Sequence, residues 1–343
     1  MQAEFVDLVR KLAPDLAAEL GVRALVLERI AALEPVGRRQ LAMRLDRPER
    51  EVRAAAASLK EEGLIALDAS GMTLTDKGRD ILPQVREMSR AMQGLADVER
   101  RLEGLLNVDS VVVVPGDADQ DAHVLQDAGR MAAQKVRQHL RSGYTMAVTG
   151  GSSVAWTAKH LQGGAPLNVM VVPARGGLAR AVETQANTLA AEIARKLGGH
   201  HRLIHLPDHI DPASKQELMK LPEISEAIDL LQRADVILHG IGRADKAARD
   251  YSLKGSVIRR LEEQGAVGEA FGNYFDREGR CLLNSSSVGV DLARLTPQCR
   301  MIAVAAGAGK AEAIIAVLRH DRHAVLVTDE AAARAMLRLL ETK

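Results

Sequence analysis

Glycine and hydroxyl side chains follow the apolar segment YTMAV in the form Thr149-Gly150-Gly151-Ser152-Ser153, directly before a helical pattern. Two glycines let a ligand approach the backbone closely, and serine hydroxyls beside the N–H groups of a helix N-terminus favour a phosphate. Such turns also occur without any ligand. The segment lacks the lysine of a P-loop and the spacing of a dinucleotide fingerprint, so nucleotide binding is disfavoured.

Charged and polar residues follow four further apolar segments, at positions where a loop would begin. Arg175, between PA and GG, could hold a phosphate with two parallel hydrogen bonds or could be an ordinary loop cation. The cations suit a ligand with two phosphates, or with one phosphate and a polyol, and a carboxylate would accept hydrogen bonds from sugar hydroxyls. The predicted ligand contacts here are Arg175, Gln185, Arg249, Glu269 and Lys310; Arg243 and Lys246 lie on the segment that carries Arg249.

A second anion site is predicted near the N-terminus, where seven basic and three acidic residues lie between Arg38 and Lys60. Arg50 and Arg53 are three positions apart and would share one face of a helix. Guanidinium groups there could contact base edges and phosphates, although a solvated charged face is the alternative. The predicted DNA contacts are Arg38, Arg39, Arg47, Glu49, Arg50 and Arg53.

The elements that would position these arginines are three helices and a hairpin. Apolar spacing predicts helices over residues 20–33, 38–45 and 49–61, with a turn at Asp46-Arg47-Pro48. The alternating segments LIALD and GMTLT, around Ala69-Ser70-Gly71, predict a two-stranded wing. This order of elements is that of a winged helix-turn-helix, and it favours DNA binding over the solvated face.

The remainder of the chain predicts a linker helix and an α/β domain. Apolar residues from Val85 to Leu106 follow a heptad pattern, with Glu99 at one of its core positions, which fits either a dimer seam or ordinary packing. After residue 107, apolar segments alternate with amphipathic ones, as in a mostly parallel sheet with helices on both faces, where ligands bind at the carboxyl ends of the strands. The predicted domains are residues 1–82, 83–106 and 107–343.

Other classes of function are disfavoured by composition. Lys and Arg total 46 against 45 Asp and Glu, so wholesale coating of nucleic acid is not expected. The N-terminal residues lack a secretory signal, no apolar segment approaches the length of a membrane span, and two cysteines without ligand spacing indicate a reducing cytosol. No metal site is predicted: in a strand, His201 and His205 would be too far apart to share an ion.

Several long motifs keep their order along the chain and together resemble the SorC family of sugar-responsive bacterial transcription regulators. They are EPVGRRQLAMRL, DRPEREVRAAAASLKEEGLI, GMTLTDKG, TGGSS, HGIGRA, GAVGEAFGNYFD and IAVAAGAGKAEAIIAVL. The similarity runs from about residue 8 to residue 340. Within the family, the motifs are most similar to those of repressors of glycolytic genes.

The resemblance implies a winged-helix domain joined to an effector domain similar to sugar-phosphate isomerases and deaminases, without catalysis and without a cofactor. It implies fructose 1,6-bisphosphate or a related glycolytic phosphosugar as effector, bound by the segment from Thr149 and by Arg175, Gln185, Glu269 and Lys310. Arg249 and Asp250 are further expected effector contacts, but their segment departs from the family pattern of paired arginines. It continues with Tyr251, and an acid lies where a phosphate contact is expected. Operator DNA, the phosphosugar and further copies of the chain, as a dimer or tetramer, are the expected partners.

Two other interpretations stay open at the level of sequence. The chain could be a sugar-phosphate isomerase or deaminase with an accessory domain, in which Glu269 or Asp245 would be the general base. It could also be a ligand-binding module that dimerises through the linker and binds protein instead of DNA.

Overall fold

A computed structural model describes residues 8–9, 11–45, 47–92, 94–162, 165–176, 181–206, 211–284, 288–319 and 324–342. The chain divides into two compact units, Met1–Asp97 and Val98–Lys343. The expected turn residue Asp46 lies outside the described residues.

The N-terminal unit is a helical bundle with a hairpin, as predicted. Its core is formed by apolar residues of the first three helices and the second strand, including Leu27, Ile30, Leu41, Val52 and Met72. In chain order the elements are α1 (Pro14–Leu33), α2 (Arg38–Leu45), α3 (Glu49–Glu61), β1 (Ile65–Asp68), β2 (Gly71–Leu74) and α4 (Asp76–Met92). The winged helix-turn-helix layout is therefore confirmed, with the predicted bounds of α2 and α3.

The wing is fixed by its turn and by the chain before α2. Asp68 accepts hydrogen bonds from the backbone N–H groups of Ser70 (2.7 Å) and Gly71 (3.1 Å), which close the turn. Gly71 has φ +137° and lies against the backbone of Val36, where a Cβ would approach within 2.9 Å. Only glycine fits this contact, and it lets Val36 pair with Met72 beside the hairpin.

The helix predicted over residues 83–106 is two helices in the structure. The first half is the end of α4, and the second half is α5 (Leu95–Leu106). Gly94, with φ +67°, separates them, because a left-handed residue ends a helix.

The second unit consists of a seven-stranded parallel sheet, a smaller antiparallel sheet and the helices that cover them. In chain order its elements are β3 (Ser110–Val114), α6 (Ala122–His139), β4 (Thr145–Val148), α7 (Ser152–His160), β5 (Met170–Pro173), α8 (Ala186–Leu197), β6 (His200–His201), α9 (Pro212–Leu218), α10 (Pro222–Gln232), β7 (Val236–Gly240), β8 (Gly242–Arg243), α11 (Ala244–Asp250), α12 (Gly255–Glu263), β9 (Ala266–Ala270), β10 (Asn273–Asp276), β11 (Cys281–Asn284), β12 (Arg300–Val304), α13 (Ala311–Leu318), β13 (Ala324–Asp329) and α14 (Glu330–Glu341). The large sheet has the order β3-β13-β12-β7-β4-β5-β6 and the small sheet the order β11-β10-β9-β8.

The predicted mostly parallel sheet is confirmed, and its strands are apolar on both faces because helices cover both. The small antiparallel sheet was not predicted. Glu269, which was expected on a loop, lies instead within β9 and is buried.

Helix α5 packs on the edge of the large sheet from Val98 onward. Glu99 accepts a hydrogen bond from the N–H of Val113 (2.7 Å), and Glu103 accepts one from the N–H of Val111 (2.9 Å). The two carboxylates thus satisfy donors of the edge strand β3, which would otherwise be open to pairing. Leu102 and Leu106 are buried here, so this part of the heptad pattern is ordinary packing.

Candidate functional site

The predicted ligand segment lies where the strand order of the large sheet reverses. From β4 the chain continues outward through β5 and β6, and from β7 it continues in the other direction through β12 and β13. Thr149 joins the two halves: its N–H donates to the carbonyl of Leu238 (3.0 Å), and its hydroxyl accepts from the N–H of Gly240 (3.2 Å). Ligands of open α/β sheets bind in the crevice at such a point.

The glycines after Thr149 are required by the close approach of another loop. A Cβ on Gly150 would lie 2.6 Å from the carbonyl oxygen of Thr184, and Gly151 has φ +113°. The N–H of Gly151 donates to the same oxygen (2.9 Å). The structure therefore brings the segment from Thr149 beside Gln185, which follows Thr184 and caps α8.

Ser152 and Ser153 are the first two residues of α7, so the helix begins within the predicted ligand segment and not directly after it. Ser152 is exposed and Ser153 is buried. The backbone N–H groups of the first turn of α7 and the positive end of its helix dipole lie at Ser152. This end of the helix is therefore suited to an anion.

Arg175 and Glu269 meet beside this segment, although they come from different sheets. Arg175 follows β5, and its Nη1 lies 4.0 Å from Oε1 of Glu269, with both side chains about nine-tenths buried (11% and 9% exposed). The ring of Tyr251 covers the guanidinium, with Cζ of Arg175 4.3 Å from the ring centre. Stacking of this kind stabilises a cation in a partly desolvated position.

The Glu269 carboxylate is held by few compensating groups. Burial raises its pKa, and a hydrogen bond from the N–H of Gly272 and the charge of Arg175 act in the opposite direction. The Gly272 N–H donates to Oε1 at 2.7 Å. Glu269 is thus a buried hydrogen-bond acceptor beside Arg175.

Lys310 lies on the loop after β12, in a second cationic position. Burial lowers its pKa, and so does the charge of Lys246, while Asp119 and Asp329 act in the opposite direction. The two ammonium groups repel each other, and the two carboxylates offset part of this repulsion. The sequence identifies Lys246 as one of the cations of its segment. Its proximity to Lys310 is a tertiary contact that the sequence does not predict.

The predicted contact Arg249 is engaged elsewhere. Its Nη2 donates to Oδ2 of Asp245 at 2.9 Å, and Arg243 contacts the same carboxylate through Nε (3.0 Å) and Nη2 (2.9 Å). Although partial burial raises it, the pKa of Asp245 is lowered overall by these two arginines. Asp250 is the exposed last residue of α11.

The predicted DNA contacts form an exposed surface on α2, α3 and the turn between them. Val52, Ala55, Ala56 and Leu59 bury one side of α3, as predicted, and Arg50 and Arg53 lie on the exposed side. Arg38 and Arg39 occupy the first turn of α2, which contains no acidic residue. Cations at a helix N-terminus are locally unfavourable, so this placement fits a surface that meets phosphates.

Acidic residues orient part of this surface. Oε1 of Glu49 lies 3.0 Å from Nη2 of Arg53, and its Oε2 lies 3.7 Å from Nε of Arg39. Oε2 of Glu51 lies 3.4 Å from Nη1 of Arg47. These pairs are solvent-exposed and contribute little to stability. They instead restrict where the guanidinium groups point.

Neither a metal site nor a membrane span is found among the described residues. In that part of the chain no group of three or more His, Cys, Asp and Glu side chains could hold a metal ion. Within the same residues, no helix has the length and apolar character needed to cross a membrane.

Comparisons with known proteins match both units. The family model described as "Putative sugar-binding domain" matches residues 90–338, and the one described as "CggR N-terminal DNA binding domain" matches residues 20–89. The central glycolytic genes regulator of Priestia megaterium is 36% identical over 97% of this chain and 98% of its own length. The regulator of the same name from Bacillus subtilis is 34% identical over 98% and 99%.

Solved structures of similar proteins have the same fold as this chain. The "putative SorC family transcriptional regulator" from Enterococcus faecalis has a TM-score of 0.66 and 32% identity, and the match covers 70% of this chain and 99% of that one. The full-length sorbitol operon regulator SorC from Klebsiella pneumoniae shares the fold, with a TM-score of 0.66 and 20% identity over 88% of this chain and 94% of that one. The chain therefore belongs to the SorC family of sugar-binding transcriptional regulators, and it combines an N-terminal DNA-binding domain with a C-terminal sugar-binding domain.

Proposed function

We propose that the protein is a repressor of glycolytic genes whose operator binding is modulated by a phosphorylated sugar, fructose 1,6-bisphosphate. The observation that carries this proposal is the convergence of anion-binding groups and a buried acceptor carboxylate at the strand-order reversal. The names of the relatives from Priestia megaterium and Bacillus subtilis support glycolytic genes as the target.

A bisphosphate is favoured because the crevice offers two cationic positions. The segment from Thr149 to Ser153 lies beside Arg175, since β4 and β5 are neighbours and the N–H of Ala174 donates to the carbonyl of Val148 (2.7 Å). Lys310, next to Lys246, forms the second position on the other half of the sheet. Glu269 is available to accept from sugar hydroxyls, and Gln185 adds a polar side chain at the first position.

Residues 1–82 would bind the operator, residues 83–106 would connect, and residues 107–343 would bind the effector. The protein would act in the cytoplasm as a dimer or tetramer, because helix-turn-helix proteins usually bind two half-sites. The DNA contacts would come from the exposed arginines of α2 and α3, with Glu49 orienting Arg39 and Arg53.

An isomerase or deaminase remains the second candidate, because the pKa of Glu269 is raised by burial, as that of a general base often is. The other candidate base, Asp245, is unsuited because two arginines lower its pKa. Turnover of hexose and pentose phosphates by the full chain would favour the enzyme, and its absence would favour the regulator.

The proposal is tested by a thermal-shift panel on the full chain, with fructose 1,6-bisphosphate, fructose 6-phosphate, glyceraldehyde 3-phosphate and glucose. A ligand that binds only the folded state raises the melting temperature, and we expect the bisphosphate to give the largest rise. A gel shift on the DNA upstream of the gene, with and without the best ligand, then measures the regulatory effect. No shift with any phosphosugar, or no change in operator affinity, would contradict the proposal.

A further inference from the structure

The Tyr274 side chain is fully enclosed, and its hydroxyl has no hydrogen-bond partner among the described residues. Buried phenol hydroxyls are normally paired, because an unpaired one has lost its hydration without compensation. Tyr274 lies on β10 directly opposite Glu269 on β9. Opposed residues of antiparallel strands project from the same face, so the phenol and the carboxylate are neighbours.

The charged groups that act on the Tyr274 hydroxyl are Glu269 and Arg175, which form a cluster with it. Burial raises the pKa of Tyr274 well above its ordinary value, the negative charge of Glu269 raises it further, and Arg175 acts in the opposite direction. The phenol is therefore protonated at neutral pH and acts as a hydrogen-bond donor.

Tyr251 packs on this cluster. Its half-buried ring stacks on the guanidinium of Arg175 and packs against the apolar cluster that contains Tyr274. A ligand that contacts the Tyr274 hydroxyl would require this ring to move away from Arg175.

A donor beside an acceptor matches the hydrogen-bonding capacity of a sugar hydroxyl, which can donate and accept at once. We propose that the Tyr274 hydroxyl donates a hydrogen bond to a sugar hydroxyl of the effector, which in turn donates to Glu269. The assignment rests on the proposed function. It makes Tyr274 a determinant of specificity for the polyol part of the ligand, and not for its phosphates.

The test is Tyr274→Phe in the full chain, a change that removes one oxygen from a buried ring. Isothermal titration calorimetry would compare fructose 1,6-bisphosphate with inorganic phosphate. We expect the affinity for the bisphosphate to fall about five- to tenfold, as for the loss of one neutral hydrogen bond, and the binding of phosphate to be unchanged. The ligand-free melting temperature should rise by about 2–4 °C, since the variant no longer buries an unpaired hydroxyl.

Tyr144→Phe is the matched control, because Tyr144 is a partly buried tyrosine that packs against the main core; neither ligand should be affected. A higher melting temperature with unchanged bisphosphate affinity would overturn the assignment, because the hydroxyl would then be only an unpaired core group. Equal weakening of phosphate binding would overturn it as well. Failure of the parent protein to bind any phosphosugar would instead refute the proposed function, and the two failures are thereby distinguished.

Discussion

At the scale of single residues, the cations of the crevice differ in what an incoming anion must replace. Arg175 is already stacked on Tyr251 and lies near Glu269, so a phosphate competes with existing contacts. Lys310 has the like charge of Lys246 and the opposite charges of Asp119 and Asp329 nearby, so a phosphate would relieve one repulsion and meet two carboxylates. A phosphate therefore competes with existing interactions at both positions.

Lys310→Met retains most of the aliphatic stem and removes the charge. We expect the melting-temperature rise caused by fructose 1,6-bisphosphate to be nearly lost, with about 10- to 100-fold weaker affinity, the effect of losing a hydrogen bond to a charged group. The ligand-free protein should be at least as stable as the parent, because burial disfavours the charged amine. Arg175→Ala should also weaken binding. Lys159→Met, at an exposed lysine on α7, is the control, and an unaltered ligand effect in Lys310→Met would remove this residue from the site.

A buried histidine predicts a dependence of stability on pH. Burial lowers the pKa of His239 from 6.5 to about 4, and its ring packs at a tilt against the ring of Phe271, next to a cavity of about 200 Å³. Between these two pKa values the unfolded chain binds a proton that the folded chain does not, so stability decreases as pH falls from 6.5 to 4. The loss at pH 4 is about 3 kcal/mol.

His239→Asn retains a side-chain donor for the carbonyl of Gly240 and removes the titration. Urea unfolding of both proteins between pH 4 and pH 7 isolates the contribution of His239, because Glu269 and other shifted groups are common to the two. The difference in unfolding free energy between parent and variant should shrink steadily as the pH falls. A difference independent of pH would show that His239 does not titrate with this shift.

At the scale of elements, local sequence patterns predict the bounds of a helix where residues near its ends in sequence determine where it begins and stops. Helix α3 has its predicted bounds because Pro48 precedes it, Gly63 follows its C-cap and one apolar face is continuous. The break at Gly94 was missed because a heptad pattern continues in register across a single left-handed residue.

The candidate site was predicted only in part, because its pairings are tertiary. The cations after each strand could be recognised from the alternation of apolar segments and loops. The stacking of Tyr251 on Arg175 and the enclosure of Glu269 within a second sheet depend on how separate segments meet. No local spacing contains that information.

The proposed role of α3 as the recognition helix gives a prediction for DNA binding. Arg50→Ala and Arg53→Ala should each weaken operator binding by about 1–3 kcal/mol if the side chain contacts a base edge, or lower the salt dependence by about one ion if it contacts a phosphate. Stability should be retained because both positions are exposed and alanine favours helix. Fluorescence anisotropy with operator DNA measures the effect, and the effector should stabilise both variants as it does the parent.

Lys60→Ala, in the last turn of α3, is the matched control for loss of a positive charge. Operator affinities of Arg50→Ala and Arg53→Ala equal to that of the parent would contradict the assignment of α3 as the recognition helix.

At the scale of the whole molecule, a formal net charge of +1 conceals two regions with several cationic side chains. One is the arginine surface of the N-terminal unit, and the other is the crevice of the sugar-binding domain. Acidic residues elsewhere balance both, so total charge gives no indication of either partner. Only its distribution along the chain does.

The effects of the sugar effector and of operator DNA on each other's binding must be reciprocal, because both bind the same chain. If the effector weakens operator binding by a given factor, operator DNA must weaken effector binding by the same factor. Titrating fructose 1,6-bisphosphate into the free protein and into its operator complex measures this factor independently of the gel shift. Sedimentation of the same samples determines whether the number of subunits changes. Equal effector affinity in both samples would show that the sugar does not regulate DNA binding at equilibrium.

Arg175 follows a strand of the large sheet, whereas Glu269 belongs to the small one. A ligand held by both residues is a noncovalent cross-link between two layers that are otherwise joined by packing and loops. Opening of the small sheet away from the large one would then require ligand release first. Backbone amides of β9 and β10 should consequently exchange with deuterium more slowly as ligand occupancy rises. The effect of the effector on local stability would then be concentrated in the small sheet.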